Sequence, residues 1–341
     1  MRFAEIEAQE IAVRTLKSSV AKGTVPHAYL FAGPRGSGKS TTAIAFASAL
    51  NCVDRTPDGD SCGECQSCLR IAAGQDADVR VIAPDGNQTK IEQMQEMIHE
   101  LGFAPLSGRY KVFIIEQADT LNSASENCIL KILEEPPAYG VLILLTRNVN
   151  SLLPTIRSRC HLVRFKRAER RETEAALAKR GVAENEARII AACSQGNIGM
   201  AIRISSDEKW MDDRRRVLDL LSSWSDGPSI GGLRAAETLR EMARPPKNNP
   251  EGRTLVKNLT ETLDLFLTWY SDLLRLSIMG DDAEITNADY AEILRDQSAR
   301  YTTTHLRACI RSIMETRHYL EGNISPQLAL ENLLFRLHPN I

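Results

Sequence analysis

The chain has 341 residues, 43% hydrophobic and 25% charged, with 42 Lys and Arg against 44 Asp and Glu for a net charge of −2. That length exceeds one ordinary core and implies two or three folding units, while the apolar share excludes a chain dominated by disorder. The near balance of charge excludes a polycationic surface built to coat nucleic acid, so any DNA contact has to be a local patch.

No apolar run approaches the length of a bilayer span, and the opening MRFAEIEAQE carries acidic residues where a secretory signal has an apolar core. A soluble, cytoplasmic protein without a membrane partner is expected. Its 8 cysteines then stay reduced, so clustering among them points to metal before disulfides.

Short β-type runs alternate with helical patterns from residue 27 to 165: AYLF at 28–31, VRVIA at 79–83, YKVFII at 110–115, VLILLT at 141–146 and HLVRF at 161–165. Strand, helix, strand in sequence predicts a parallel sheet covered on both faces, an α/β fold. Between the first strand and a helix opening near Lys39 lies Gly33-Pro34-Arg35-Gly36-Ser37-Gly38-Lys39-Ser40, followed by Thr41. The spacing is that of a P-loop in its proper strand-to-helix context. Glycines let backbone N–H groups turn onto phosphates, Lys39 neutralises β and γ oxygens, and the Ser40 hydroxyl suits Mg²⁺. A plain Gly-rich turn is the bland alternative. ATP or ADP is the expected ligand.

Cys52, Cys62, Cys65 and Cys68 follow with the spacing C-x9-C-x2-C-x2-C, and Gly59, Ser61 and Gly63 supply tight turns among them. Four thiolates close a tetrahedral Zn²⁺ site with no position left for substrate, so a structural zinc-binding insertion is expected. An iron–sulfur cluster is the rival, but the C-x3-C-P continuation of ferredoxins is missing. Cys128, Cys160, Cys193 and Cys309 read as small core residues.

The strand VFII ends in Glu116-Gln117-Ala118-Asp119, where P-loop ATPases present an Asp for Mg²⁺ and then a Glu that activates water. Glu116 can still reach a metal, whereas Gln117 can orient water but cannot accept its proton. Binding without efficient hydrolysis is expected; the alternative is a solvated strand end without a metal role. Arg109 and Lys111, flanking the start of that strand, are candidates for a local DNA contact but read first as a solvated charge pair. Asp119 reads as a helix-start residue, and Ser123 with Glu126 as a capping box for a helix stopped by Pro136-Pro137.

Residues 168–206 carry no strand signal and suit a small helical subdomain, and the remainder is helical too. Leu255, Leu259, Leu263, Phe266, Leu267, Tyr270 and Leu274 form a wide apolar stripe of a bundle helix, and the breaker-rich segments 244–252 and 280–284 read as exposed connections.

Together, HAYLFAGPRGSGKST, the cysteine insertion, NCILKILEEPP and IRSRCHLVRF resemble the bacterial DNA polymerase III clamp-loader subunits, a branch of the AAA+ ATPases. The resemblance implies three parts: an ATPase-like domain with a zinc module (1–166), a small helical lid (167–206) and an all-α collar for oligomerisation (207–341). It also implies a hetero-pentameric ring with gamma/tau and delta subunits, a sliding clamp as target, and primer-template DNA reached through phosphates. The delta prime branch fits better than the gamma/tau motor. The motor's Asp-Glu pair is Glu116-Gln117 here, Gly196-Asn197-Ile198-Gly199 has glycine at the motor's sensor 2 arginine, and FLTWYSDLLRL and NISPQLALENLLFRL look like the delta prime collar.

Thr146 falls at the family's sensor 1 position, its bland reading being a strand-end hydroxyl. Arg159, in the Ser158-Arg159-Cys160 motif, falls where the family's arginine reaches the nucleotide of the adjacent subunit. Arg157 is either a surface residue or a second phosphate partner. The resulting expectation is an assembly subunit that loads the clamp with little or no hydrolysis of its own. A hydrolysing motor and a P-loop adaptor outside replication are the alternatives.

Overall fold

The computed structural model describes residues 1–86, 88–223, 230–244, 252–321 and 325–338. The chain forms two compact units, one of residues 1–184 and 194–202, the other of residues 185–193 and 203–341.

The first unit opens with α1 (Glu10–Lys22), β1 (Ala28–Ala32), α2 (Lys39–Asn51), α3 (Gln66–Ala72) and β2 (Val79–Ile82). It continues through α4 (Ile91–Leu101), β3 (Lys111–Ile115), α5 (Ser123–Glu134), β4 (Gly140–Thr146), α6 (Pro154–Arg157), β5 (His161–Arg164) and α7 (Arg170–Ala178). The strands form one parallel sheet in the order β2-β3-β4-β1-β5. The two-residue period of each strand sorts its side chains to opposite faces. Tyr29, Phe31, Ile114 and Ile143 join Leu16 and Phe46 in one core, and Leu30, Phe113, Leu142 and Leu144 join Met94, Met97, Ile129 and Ile156 in the other. Each fully buried Phe or Leu contributes roughly 1.5–3 kcal/mol, so the near-continuous apolar runs are what hold helices on both faces.

Two local expectations are corrected. The cap of α5 is Asn122, whose side chain accepts from Ser125 N at 2.8 Å, because Asn122 holds the extended conformation a cap requires. Glu126 is instead buried and accepts from Leu153 N at 3.1 Å, holding the segment before α6. Lys111 is not solvated either: it is buried, and its ammonium donates to the carbonyls of Glu100 (2.8 Å) and Phe103 (3.4 Å) at the end of α4. Asp119 lies in a 3₁₀ turn, Ala118–Thr120, ahead of α5.

After β5 the chain is helical: α8 (Glu184–Ser194), α9 (Ile198–Ser205), α10 (Trp210–Ser223), α11 (Ile230–Met242), α12 (Gly252–Met279), α13 (Ala291–Ser298), α14 (Thr303–Glu321) and α15 (Pro326–Arg336). In the second unit Leu259, Leu263, Phe266 and Tyr270 of the expected stripe are buried in the core where α12 packs on α10, α13 and α14, and Leu255, Leu267 and Leu274 pack at its margin. Residues 280–284 form a polar turn, but 245–251, Asn323 and Ile324 lie outside the described residues. Among the described residues no helix is long and apolar enough to cross a membrane.

Asp78, almost fully buried before β2, accepts main-chain N–H bonds from Leu106 (2.7 Å), Ser107 (2.8 Å) and Gly108 (2.7 Å), fixing the loop that leads into β3. Burial works against its ionisation, yet these amides win and hold its carboxyl below the ordinary range. A depressed folded-state value stabilises the fold fully above the unfolded value of about 3.9 and is lost as pH falls towards the folded one. Asp78→Asn is expected to cost about 1–3 kcal/mol in urea denaturation at neutral pH, and the difference from wild type should shrink below about pH 4.

Candidate functional site

The C-terminal edge of the sheet brings together the ends of β1, β3 and β4. β1 passes into the loop at Gly33, whose N–H donates to Thr146 O at 3.1 Å. Only glycine fits here, because a Cβ would lie 2.4 Å from Phe165 O. Gly36 has φ +73°, and a Cβ on it would sit 1.8 Å from Asn197 Oδ1. The N-terminus of α9 thus lies directly on the loop, and Gly199 N donates to Gly36 O at 3.4 Å.

α2 begins at Lys39, with Gly38 as a left-handed N-cap, no side-chain cap and no acidic residue in its first turn. Its positive end is left open to an anion. The Lys39 ammonium donates to the carbonyls of Gly33 and Pro34, both at 2.7 Å, and Ser37 Oγ donates to Pro34 O at 2.8 Å. Burial, with help from Arg147, brings the Lys39 pKa down to about 8. Arg35 and Thr41 are exposed.

From β3, Glu116 accepts the Ser40 hydroxyl at 2.7 Å, so a hydroxyl and a carboxylate stand together as a pair of hard oxygen ligands fit for Mg²⁺. Gln117 is held in the left-handed region at φ +48°, and its Oε1 accepts from Arg147 Nη2 at 3.4 Å. An amide there cannot take a proton from water. Asp119 accepts from Arg147 N at 3.3 Å. Thr146 is buried, and its hydroxyl is engaged with Asn148, donating to the carbonyl at 2.9 Å and accepting from the amide at 3.1 Å.

Arg159 is not part of this group. It sits between α6 and β5, half-exposed, donating to Glu134 Oε1 at 2.8 Å and Thr155 O at 3.1 Å. A surface ion pair of this kind is worth about 0–1 kcal/mol, so exchanging Glu134 for another acceptor costs little.

The cysteines converge at the other end of α2. Cys52 caps that helix, Cys65 caps α3, Cys68 lies within α3, and Cys62 comes from the loop between them. Their sulfurs all lie within 4.8 Å of one another, with Cys52–Cys62 at 3.5 Å and Cys52–Cys65 and Cys62–Cys68 at 4.0 Å. Zn–S bonds of about 2.3 Å in a tetrahedron require edges of about 3.8 Å, so the donor set fits zinc. Of the remaining cysteines, Cys193 and Cys309 are buried, while Cys128 and Cys160 are half-buried.

Sequence reasoning passed over two residues. Arg147 touches Gln117 and shifts Lys39, and its position directly after Thr146 was the available signal. Asn197 covers Gly36, which only the close approach of α9 reveals.

A P-loop on a parallel sheet with a C-terminal helical region defines an AAA+-type protein. The DNA polymerase III gamma subunit-related protein from Thermotoga maritima shares this fold, with a TM-score of 0.50, 19% identity, and coverage of 95% of this chain and 97% of that one. Residues 8–169 match the family described as "DNA polymerase III, delta subunit", and residues 253–339 match "DNA polymerase III, delta subunit, C terminal". DNA polymerase III subunit delta prime of Bacillus subtilis is 26% identical over 331 residues, 97% of this chain and 96% of that protein. Subunit gamma/tau of Mycobacterium bovis is 36% identical over 178 residues, but the match spans only 52% of this chain and 31% of that protein. The chain belongs to the DNA polymerase III clamp-loader subunits.

Two outcomes are expected. Nucleotide affinity should fall as pH rises through about 8, where Lys39 loses its charge, and Lys39→Arg should flatten that dependence in a titration of labelled ADP. Purified protein should carry one zinc per chain by atomic absorption, and Cys65→Ser should release it and lower Tm by several degrees.

Proposed function

We propose that the chain is a delta prime-type subunit of the clamp loader, an assembly element that binds nucleotide but turns it over weakly or not at all. The observation that carries this is at the end of β3: Glu116 stands by Ser40 while the next residue, Gln117, offers an amide where a general base is needed. The match to the Bacillus subtilis delta prime, over 97% of this chain and 96% of that protein, supports the reading, whereas the Bacillus subtilis tau match spans 72% of this chain and 47% of that protein.

In this reading residues 33–41 hold ATP or ADP, Ser40 and Glu116 hold Mg²⁺, and the four cysteines hold a structural Zn²⁺ that braces α2. Thr146 stands at the sensor 1 position, though its hydroxyl is engaged with Asn148. The helices after β5 serve as a lid (167–206) and a collar (207–341). The partners are gamma/tau and delta subunits in a five-member ring that opens the sliding clamp on primer-template DNA. Arg159 would exchange Glu134 for the phosphate of a neighbouring subunit's nucleotide, where its fixed charge and forked donors stabilise developing negative charge.

The second reading, a hydrolysing motor, draws on the 36% identity to gamma/tau. Steady-state turnover separates the two. The isolated chain is expected to bind nucleotide with no appreciable turnover, and Arg159→Ala should slow hydrolysis by the reconstituted complex by roughly 10³-fold or more. Robust turnover by the isolated chain, abolished by Lys39→Ala, would establish the motor instead.

A further inference from the structure

Beside the start of the loop, the ends of β1, β4, α6 and β5 border an open cavity of about 500 Å³, in which Arg147 and Arg164 are exposed and Arg157 is half-buried. Three guanidinium side chains line it, Arg147, Arg157 and Arg164, together with Gly33, Asn148 and Asn150. Among the described residues no carboxylate lines the cavity and none of the three arginines forms a salt bridge. Among the described residues the Arg157 guanidinium donates only to the Asn150 amide oxygen at 2.9 Å and the Arg147 guanidinium only to Gln117 at 3.4 Å, while the Arg147 main-chain N–H goes to Asp119 at 3.3 Å. Elsewhere in the chain arginines pair readily with acids, as Arg214 does with Asp289 at 2.6 Å.

Arginines on a protein surface are ordinarily solvated, and each N–H then finds water. Arg157 Nε, like Arg214 Nε, is shut off from solvent and has no acceptor, but Arg157 has no carboxylate on its other nitrogens. A buried charged donor without an acceptor is stabilised when an anion is supplied, so the arrangement favours one. Three positive charges around one cavity exceed what a single carboxylate balances and are more nearly balanced by a phosphate dianion, whose oxygens the guanidinium forks fit in pairs. The cavity also adjoins Gly33, the first residue of the loop.

We propose that Arg147, Arg157 and Arg164 form a phosphate-oxyanion site beside the loop. The phosphate comes either from the end of a nucleotide seated on residues 33–41 or from a separate orthophosphate ion. The first source rests on the nucleotide reading of the loop, and the second does not.

Calorimetric titration of the full chain with ADP, ATP and orthophosphate tests this, comparing wild type, Lys39→Ala, the double variant Arg157→Gln/Arg164→Gln and its charge-keeping counterpart Arg157→Lys/Arg164→Lys. Arg147 is left intact because it contacts Gln117. If the nucleotide's end phosphate is the ligand, wild type binds ATP at least roughly tenfold more tightly than ADP. The Gln pair then erases that preference with ADP affinity unchanged, and the Lys pair keeps part of it. If orthophosphate is the ligand, wild type and Lys39→Ala both bind it and the Gln pair does not. The proposal is overturned if the Gln pair matches wild type with all three ligands. Should wild type take up no ADP, the loop reading fails separately, and the orthophosphate arm alone decides: binding lost in the Gln pair supports the site, and no binding to wild type overturns it.

Discussion

The parallel register of β1 against β4 sets Ala32 beside Thr146 and lets Gly33 N–H bond to the Thr146 carbonyl. That pairing decides where the chain leaves the sheet, and the site follows from it. In a parallel sheet all strands end on one edge, so loops after β1, β3 and β4 must meet there. A one-residue slip would turn Phe31 and Leu30 to the wrong cores, which is a far larger penalty than any contact in the loop itself.

α2 and β3 are then joined at both ends. At the loop end Ser40 bonds to Glu116. At the far end Asn51, nearly buried, accepts from the amides of Arg109 (3.0 Å) and Tyr110 (2.9 Å) and donates to Tyr110 O (2.9 Å), imitating a strand partner. Cys52, the next residue, starts the thiolate cluster. The cysteine cluster therefore lies at the far end of the helix whose first turn faces the phosphate loop, away from the loop itself.

Much of this was legible because it rests on short-range chemistry. The five strands begin and end within a residue or two of their apolar runs, and Gly33–Ser40 declares itself through spacing between a strand and a helix. The four cysteines do the same, since metal ligation constrains residue type more tightly than packing does. What escaped depends on distant partners. Glu126 resembles a capping residue in sequence, yet Leu153 claims it, and Lys111 resembles a surface charge, yet the end of α4 supplies carbonyls for it. Arg147, Arg157 and Arg164 are spread over three elements, and only the folded sheet edge places them around one cavity.

Nucleotide binding requires residues 33–40 to work as a phosphate cradle, with Lys39 free to leave the carbonyls of Gly33 and Pro34. The most direct measurement is the stoichiometry of nucleotide bound by the isolated wild-type chain, by equilibrium dialysis with radiolabelled ADP near neutral pH. One saturable site per chain, displaced by unlabelled ATP and absent in Lys39→Ala, is the expected result. No saturable binding, or binding that survives loss of the Lys39 ammonium, would contradict it.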